Sequence, residues 1–157
     1  MSTAATQAMR RGDSVSRWVC FGAGEQLYGL PILSVQEVLR DVQIEPVPGV
    51  AEAVLGVLNL RGNVITVIDL RQRLGVPAST PGADARIVVV EHRGESFGLL
   101  VDRVADVRKI IDAAIKPAPE VGADGGAVRV HGIYTCDGIP LILLDPASLI
   151  EDMRFVA

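Results

Sequence analysis

The strongest constraint on this chain is that it carries one pattern twice. RWVCFGAGEQLYGL at 17–30 matches RIVVVEHRGESFGL at 86–99 with a constant offset of 69, aligning Arg17 with Arg86, Val19 with Val88, Gly29 with Gly98 and Leu30 with Leu99. Tyr28 falls against Phe97, and the offset continues through Val35/Val104 and Val38/Val107. Further on, LGVLNLRGNVITVIDL at 55–70 matches HGIYTCDGIPLILLDP at 131–146 with an offset of 76, repeating Gly56/Gly132, Gly62/Gly138 and Asp69/Asp145. Ordered recurrence of this kind is the mark of a single supersecondary unit used twice, about 17–75 and 86–150.

The content of the unit follows from its residues. Apolar positions are mostly Val, Leu and Ile with only 4% aromatics, and 16 Gly and 9 Pro interrupt them at short intervals, which favours short strands. RWVCFGA and QLYGLPI flank a turn at Gly24 and Glu25, as a hairpin requires. SVQEVLRDVQIEPVP alternates from Val35 to Leu39; Val35, Val38 and Leu39 also fit a helical face, but strand after a short turn is preferred. AVLGVLNL and VITVIDL are two strands joined at Arg61, Gly62 and Asn63, where Gly and Asn tolerate the positive φ of a tight turn.

Asp69 with Gln72 three positions later reads as a capping box, and Gly75 and Pro77 as a stop, which predicts a helix over 70–74. Asp145 and Pro146 repeat the start of that helix. Residues 1–14 read as a flexible tail, 79–85 as a linker and 15–155 as one domain. The expected class is all-β: each copy has about five strands and a terminal helix, enough for a small barrel that removes most of its edges by closing.

Net charge is −4 with no basic stretch interleaved with stacking aromatics, so nucleic acid is not an expected partner. No apolar run approaches the roughly 18–20 residues of a membrane helix, and the start lacks a secretory core, so a cytoplasmic protein without membrane insertion is expected. Cys20 and Cys136 lie far apart in apparent strands and suit free thiols in a reducing compartment.

Catalytic chemistry finds no purchase. His92 sits in an HRGE turn and His131 begins a strand; with Cys20 and Cys136 they make no recognised metal-ligand spacing. Neither a G-x-S-x-G elbow nor a phosphate-binding loop is present, and GADGGAV at 122–128 reads as a loop. Asp102 and Asp106 read as solvated strand ends or turns. No cofactor, metal or catalytic residue is expected.

The segments YGLPILSVQEVLR, VLGVLNLRGNVITVIDLRQRLG and RIVVVEHRGESFGLLVDRVADV together resemble the CheW family, over roughly residues 16–152. The N-L-R-G corner followed by V-I-D-L-R is the most specific part. The resemblance implies two intertwined five-stranded β-barrel subdomains with a few short helices. It also implies a stand-alone adaptor, without kinase, receiver or transmembrane segment, that joins the cytoplasmic tip of methyl-accepting chemoreceptors to the regulatory domain of the histidine kinase CheA. The array served could instead be a non-flagellar one, controlling twitching or surface sensing.

By the same resemblance the receptor helix docks between the subdomains at Val35, Glu37 and Val107, near Arg61. For the two valines core packing is the competing role. Arg61 at its corner can fork two hydrogen bonds to a carboxylate, whereas the repeat puts Asp137 at the other corner. Kinase contacts are implied at Gly56 on the first barrel and at Lys116, Glu120 and Val121 on the second. Many relatives carry a large aromatic where Val121 stands, so the second contact is expected to be weaker. In isolation the chain is expected to be a monomer.

Overall fold

In a computed structural model, residues 14–50, 52–77, 79–118 and 128–150 are described. The first copy of the repeat forms β1 (Val15–Ala23), β2 (Gln26–Pro31), β3 (Val35–Leu39), β4 (Val54–Leu60), β5 (Asn63–Asp69) and α1 (Leu70–Leu74). The second forms β6 (Arg86–His92), β7 (Glu95–Val101), β8 (Arg103–Ile111), β9 (Val130–Cys136), β10 (Ile139–Leu144) and α2 (Pro146–Ile150). The strand reading of 35–39 holds, preceded by a single 3₁₀ turn at Ile32–Ser34.

The two copies do not fold separately. One sheet has the order β8-β1-β2-β10-β9 and the other β3-β6-β7-β5-β4, so each copy lends its first hairpin to the other's barrel. The exchange obeys the repeat: Val35 faces Val90 where β3 meets β6, and Val104 faces Phe21 where β8 meets β1. Thr66 opposite Phe97 and Ile142 opposite Tyr28 mark the two parallel seams, β5 with β7 and β10 with β2.

A bulge lies just after Val35 in β3 and just after Val104 in β8, bending both edge strands where the barrels must curl. Past each bulge the chain swings round to the far edge, through the isolated bridges Glu45 with Val57 and Lys116 with Ile133. Both barrels close there.

Closure explains two of the repeated glycines. Gly56 has φ +150°, and a Cβ there would strike the Glu45 carbonyl; at Gly132 a Cβ would strike the Lys116 carbonyl and Ile115. A side chain at either position would hold the closing strands apart.

Three apolar cores result. Leu58, Ile65, Val67, Ile87 and Val89 fill the first barrel, and Trp18, Cys20, Ile110, Leu141 and Leu143 the second. Between the barrels a larger core gathers Phe21, Tyr28, Leu30, Ile68, Val88, Phe97, Leu99 and Leu149. The interlock is also polar. Arg71 on α1 forks onto Asp102 at 2.7 and 2.9 Å, and Asp102 accepts from the Gly24 amide at 2.7 Å. Buried Arg73 donates to the carbonyls of Ser148 and Leu149 at 2.7 and 3.1 Å, holding the end of α2.

Some local expectations hold and others need correction. Asp69 caps α1 through the Arg71 amide, and Gly75 ends it at φ 76°. In the β4–β5 turn the positive φ values belong to Arg61 and Gly62, while Asn63 already lies in β5; Asn59 Oδ1 supports the turn by accepting from the Gly62 amide. A two-residue type I′ turn needs positive φ at both central positions, and the first of these is Arg61. Asp102 is a half-buried clamp, not a solvated end, because the exchange brings Arg71 and Gly24 to it.

Gly56→Ala should destabilise the fold by about 3 kcal/mol or more, combining strain with displacement of the Glu45 segment, as read by urea unfolding. Asp102 should show a pH signature. The Arg71 guanidinium holds its carboxyl below the usual range, so its contribution is present above the ordinary carboxylate pKa and fades as pH falls through the lowered value. Asp102→Asn should therefore cost roughly 1–2 kcal/mol at neutral pH, with the gap to wild type closing in acid.

Candidate functional site

The Arg61 corner is fixed by its neighbours. The turn at Arg61–Gly62 points the guanidinium back across the barrel mouth, where it forks onto Glu37 of β3: Nη1 donates to Oε1 at 3.3 Å and Nη2 to Oε2. Arg61 holds the Glu37 carboxyl below the usual range, and Glu37 raises the guanidinium in turn. Gln36 beside it accepts from the Ser96 hydroxyl at 2.8 Å. Together these contacts tie the β3 edge to the β4–β5 corner and to the start of β7. Arg61 remains mostly exposed, with 69% of its side-chain surface open.

The two expected valines part company. Val107 on β8 is 52% exposed, but Val35 is half-buried and packs against the central core. The position equivalent to Val107 in the first copy is Val38, which is 42% exposed. Under the repeat, Val38 and Val107 are thus an equivalent exposed pair on the two edge strands. The alternation of β3 past its bulge is what turns Val38 outward.

One residue was missed. Leu33 is 97% exposed on the 3₁₀ turn, with Ile32 partly exposed beside it. That turn touches β1 of one sheet and β6 of the other, so Leu33 stands where the two barrels meet. Its equivalent in the second copy is Asp102, the clamp of Arg71, while Ala147 stands in the place of Arg71. A leucine where the repeat places a tethered carboxylate was the available signal. Exposed apolar side chains along such a junction suit a docking helix.

At the second barrel the corner equivalent to Arg61 is Asp137, with a matching φ of 52°. Asp106, equivalent to Glu37, pairs with Arg108 on its own strand at 3.3 Å. The basic bridge across the barrel mouth is confined to the first copy.

Of the implied kinase residues, Gly56 and Lys116 land at the closure seams. Gly56 is buried against Glu45, so the surface available there belongs to its neighbours on β4. Exposed Lys116 forms the second closure bridge, beside a hollow of about 340 Å³ lined by Ala114, Pro117, Ile133, Tyr134 and Thr135. Glu120 and Val121 lie outside the described residues, as do 1–13, 151–155 and most of the 122–128 loop.

The groups weighed for catalysis are dispersed. Burial, reinforced by the Asp106 carboxylate, pushes the Cys20 thiol up to about 11, far from a reactive thiolate. Cys20 and Cys136 are free thiols, His131 stacks obliquely at 5.3 Å from Trp18, and His92 lies in the other barrel's sheet. Among the described residues no three His, Cys, Asp or Glu side chains gather as metal ligands. No helix among the described residues is long and apolar enough to cross a membrane.

The family of CheW-like domains matches residues 17–154, which spans both copies of the repeat. The chain belongs to the CheW family. The probable chemotaxis protein CheW of Rhizobium etli is 32% identical over 148 residues, covering 94% of each chain. The crystal structure of the scaffolding protein TtCheW from Thermoanaerobacter tengcongensis superposes with a TM-score of 0.75 at 39% identity, covering 83% of this chain and 88% of that one. Protein PilI of Pseudomonas aeruginosa is 29% identical, over 92% of this chain and 82% of PilI. CheW proteins are scaffolds, and the two intertwined five-stranded barrels expected from the sequence are the family's fold.

Leu33→Asp should leave the melting temperature within about 2 °C of wild type, since a side chain this exposed contributes little to the core. A melt followed by circular dichroism decides it; a large loss would make Leu33 structural.

Proposed function

We propose that this CheW protein is a non-enzymatic adaptor that binds the cytoplasmic tip of methyl-accepting chemoreceptors on one surface and the regulatory domain of a CheA-type histidine kinase on others. The observation that carries the receptor surface is a set of exposed apolar side chains, Leu33 where the barrels meet and Val38 and Val107 at equivalent places on the two edge strands, with the Arg61–Glu37 bridge next to Val38. Apolar anchors supply burial for an amphipathic helix, and the charged bridge sets its register. Val35 serves beneath this surface by supporting β3 from the core side.

The kinase contacts are assigned to the closure ends of the two barrels, at Gly56 and at Lys116, with Glu120 and Val121 following Lys116 in the chain. These ends are equivalent under the repeat, which suits alternating contacts in a ring of adaptor and kinase domains. Val121 offers less area than an aromatic, so the second contact is the weaker. Catalysis stays with the kinase. The adaptor works in the cytoplasm at the receptor array, and it acts by contacting the receptor's signalling states differently.

Calorimetry against the regulatory domain of the organism's own kinase should give saturable binding near one to one. Absence of binding by two folded proteins would sink the adaptor reading. Arg61→Ala should keep the fold and bind the kinase domain within about twofold of wild type, yet reduce receptor-dependent kinase activation by about tenfold or more. A collapsed circular dichroism spectrum would make Arg61 structural instead.

A further inference from the structure

The outer face of the β1–β8 ladder carries three rungs in unbroken register: Val19 opposite Val107, Arg17 opposite Lys109 and Val15 opposite Ile111. Trp18, Cys20 and Ile110 alternate with them and fill the second barrel, so the three rungs face away from it. Val15, Val107 and Ile111 are 40%, 52% and 51% exposed, and Arg17 and Lys109 are exposed between them. A basic rung is thus set between two rungs that show apolar side chains to solvent.

Like charges directly across an antiparallel ladder repel each other. Among the described residues no carboxylate pairs with Arg17 or with Lys109. The carboxylate of Asp112, on the turn that follows β8, accepts instead from the hydroxyls of Ser14 and Ser16 at 2.9 and 2.6 Å. Asp106 is taken by Arg108.

The first copy shows how such a pair is settled within the chain. There the repeat puts Arg86 at the place of Arg17 and Arg40 at that of Lys109. Arg86 donates to the Ala83 and Ala85 carbonyls at 3.0 and 2.7 Å, and Arg40 pairs with the neighbouring Asp41 at 3.5 Å. In the second copy the place of Asp41 is held by Ile110, which is fully buried, and the ladder runs on to Val15 and Ile111. The cations of the first copy are engaged inside the chain, while those of the second face outward together.

We propose that the Arg17–Lys109 rung is a subsite for an acidic side chain, Asp or Glu, of the receptor helix, set between two apolar anchors of that helix. Alternate residues on a strand lie about 7 Å apart, and a helix advances about 6 Å in four residues. A helix laid along the two strands therefore brings an apolar, an acidic and a second apolar residue, each four apart, to Val107, to the basic rung and to Ile111 with Val15. One carboxylate between two cations relieves their repulsion and is attracted by both. Val107 belongs to the receptor surface and to this ladder alike, so the subsite rests on the receptor reading and adds to it the charge and spacing of the bound segment.

The test is calorimetry of the full chain against the cytoplasmic hairpin tip of a receptor from the same organism, with Arg17→Gln, Lys109→Gln, the double variant and Lys109→Arg, all followed by thermal melts. Each single neutral variant should melt at or above the wild-type temperature, because one of two repelling charges is gone. It should nevertheless bind about threefold more weakly at low salt, with the deficit shrinking as salt rises, while Lys109→Arg binds like wild type. Replacing the tip's Asp and Glu residues in turn by Asn and Gln should find one, with apolar residues four before and four after it, whose loss is no longer felt in the double variant. Tip binding unchanged in the double variant would overturn the subsite and leave the adaptor reading standing. A loss accompanied by a lower melting temperature, or seen only against the kinase domain, would overturn it too. Unchanged tip binding together with charge-dependent binding to phosphatidylglycerol vesicles would overturn it in favour of a lipid surface. No binding by wild type would bring down the receptor reading and the subsite with it.

Discussion

Everything in this molecule depends on the exchange of hairpins between its two halves. A strand that must pair with a distant segment gains nothing until that segment arrives, so neither barrel is complete while either half is unfolded. β1 and β2 complete the second barrel, β6 and β7 complete the first, and the largest apolar core lies between them. The clamp of Arg71 on Asp102 and the seat of Arg73 on the end of α2 sit across the same junction. One cooperative unit follows, in which the relative position of the two barrels is set by buried contacts and not by a linker.

On that near-symmetric frame the two halves diverge at particular positions. Glu37 and Arg61 bridge the first barrel mouth, where the second has Asp106 and Asp137. Leu33 projects into solvent where its counterpart Asp102 is clamped. Where a repeat keeps its backbone and changes its side chains, one scaffold presents two chemically different faces, as an adaptor with unlike partners requires.

Much of the architecture was legible because strand formation is local. Alternation, the turn at Gly24 and Glu25, the Asp69 cap and the Gly75 stop each depend on a few adjacent residues, and the structure keeps them where the sequence put them. The Asn63 assignment failed because a two-residue turn places its positive φ values by register, at Arg61 and Gly62. Asp102 was misread as solvated because its partners, Arg71 and Gly24, are remote in the chain. The exchange of hairpins came from family resemblance; periodicity alone is equally compatible with two separate barrels.

By itself the sequence determined the repeat, the all-β class, the terminal helices and Arg61 at an exposed corner, since these follow from local pattern and turn chemistry. Only the tertiary structure decided that Glu37 would be the partner of Arg61, that Val35 would turn inward while Val38 and Val107 stayed outside, and that Gly56 would be needed against Glu45. Each of those outcomes depends on which strands pair across the barrels and where the bulges fall. A shift of one residue in strand register turns every side chain to the opposite face, and the pairing of remote strands sets that register.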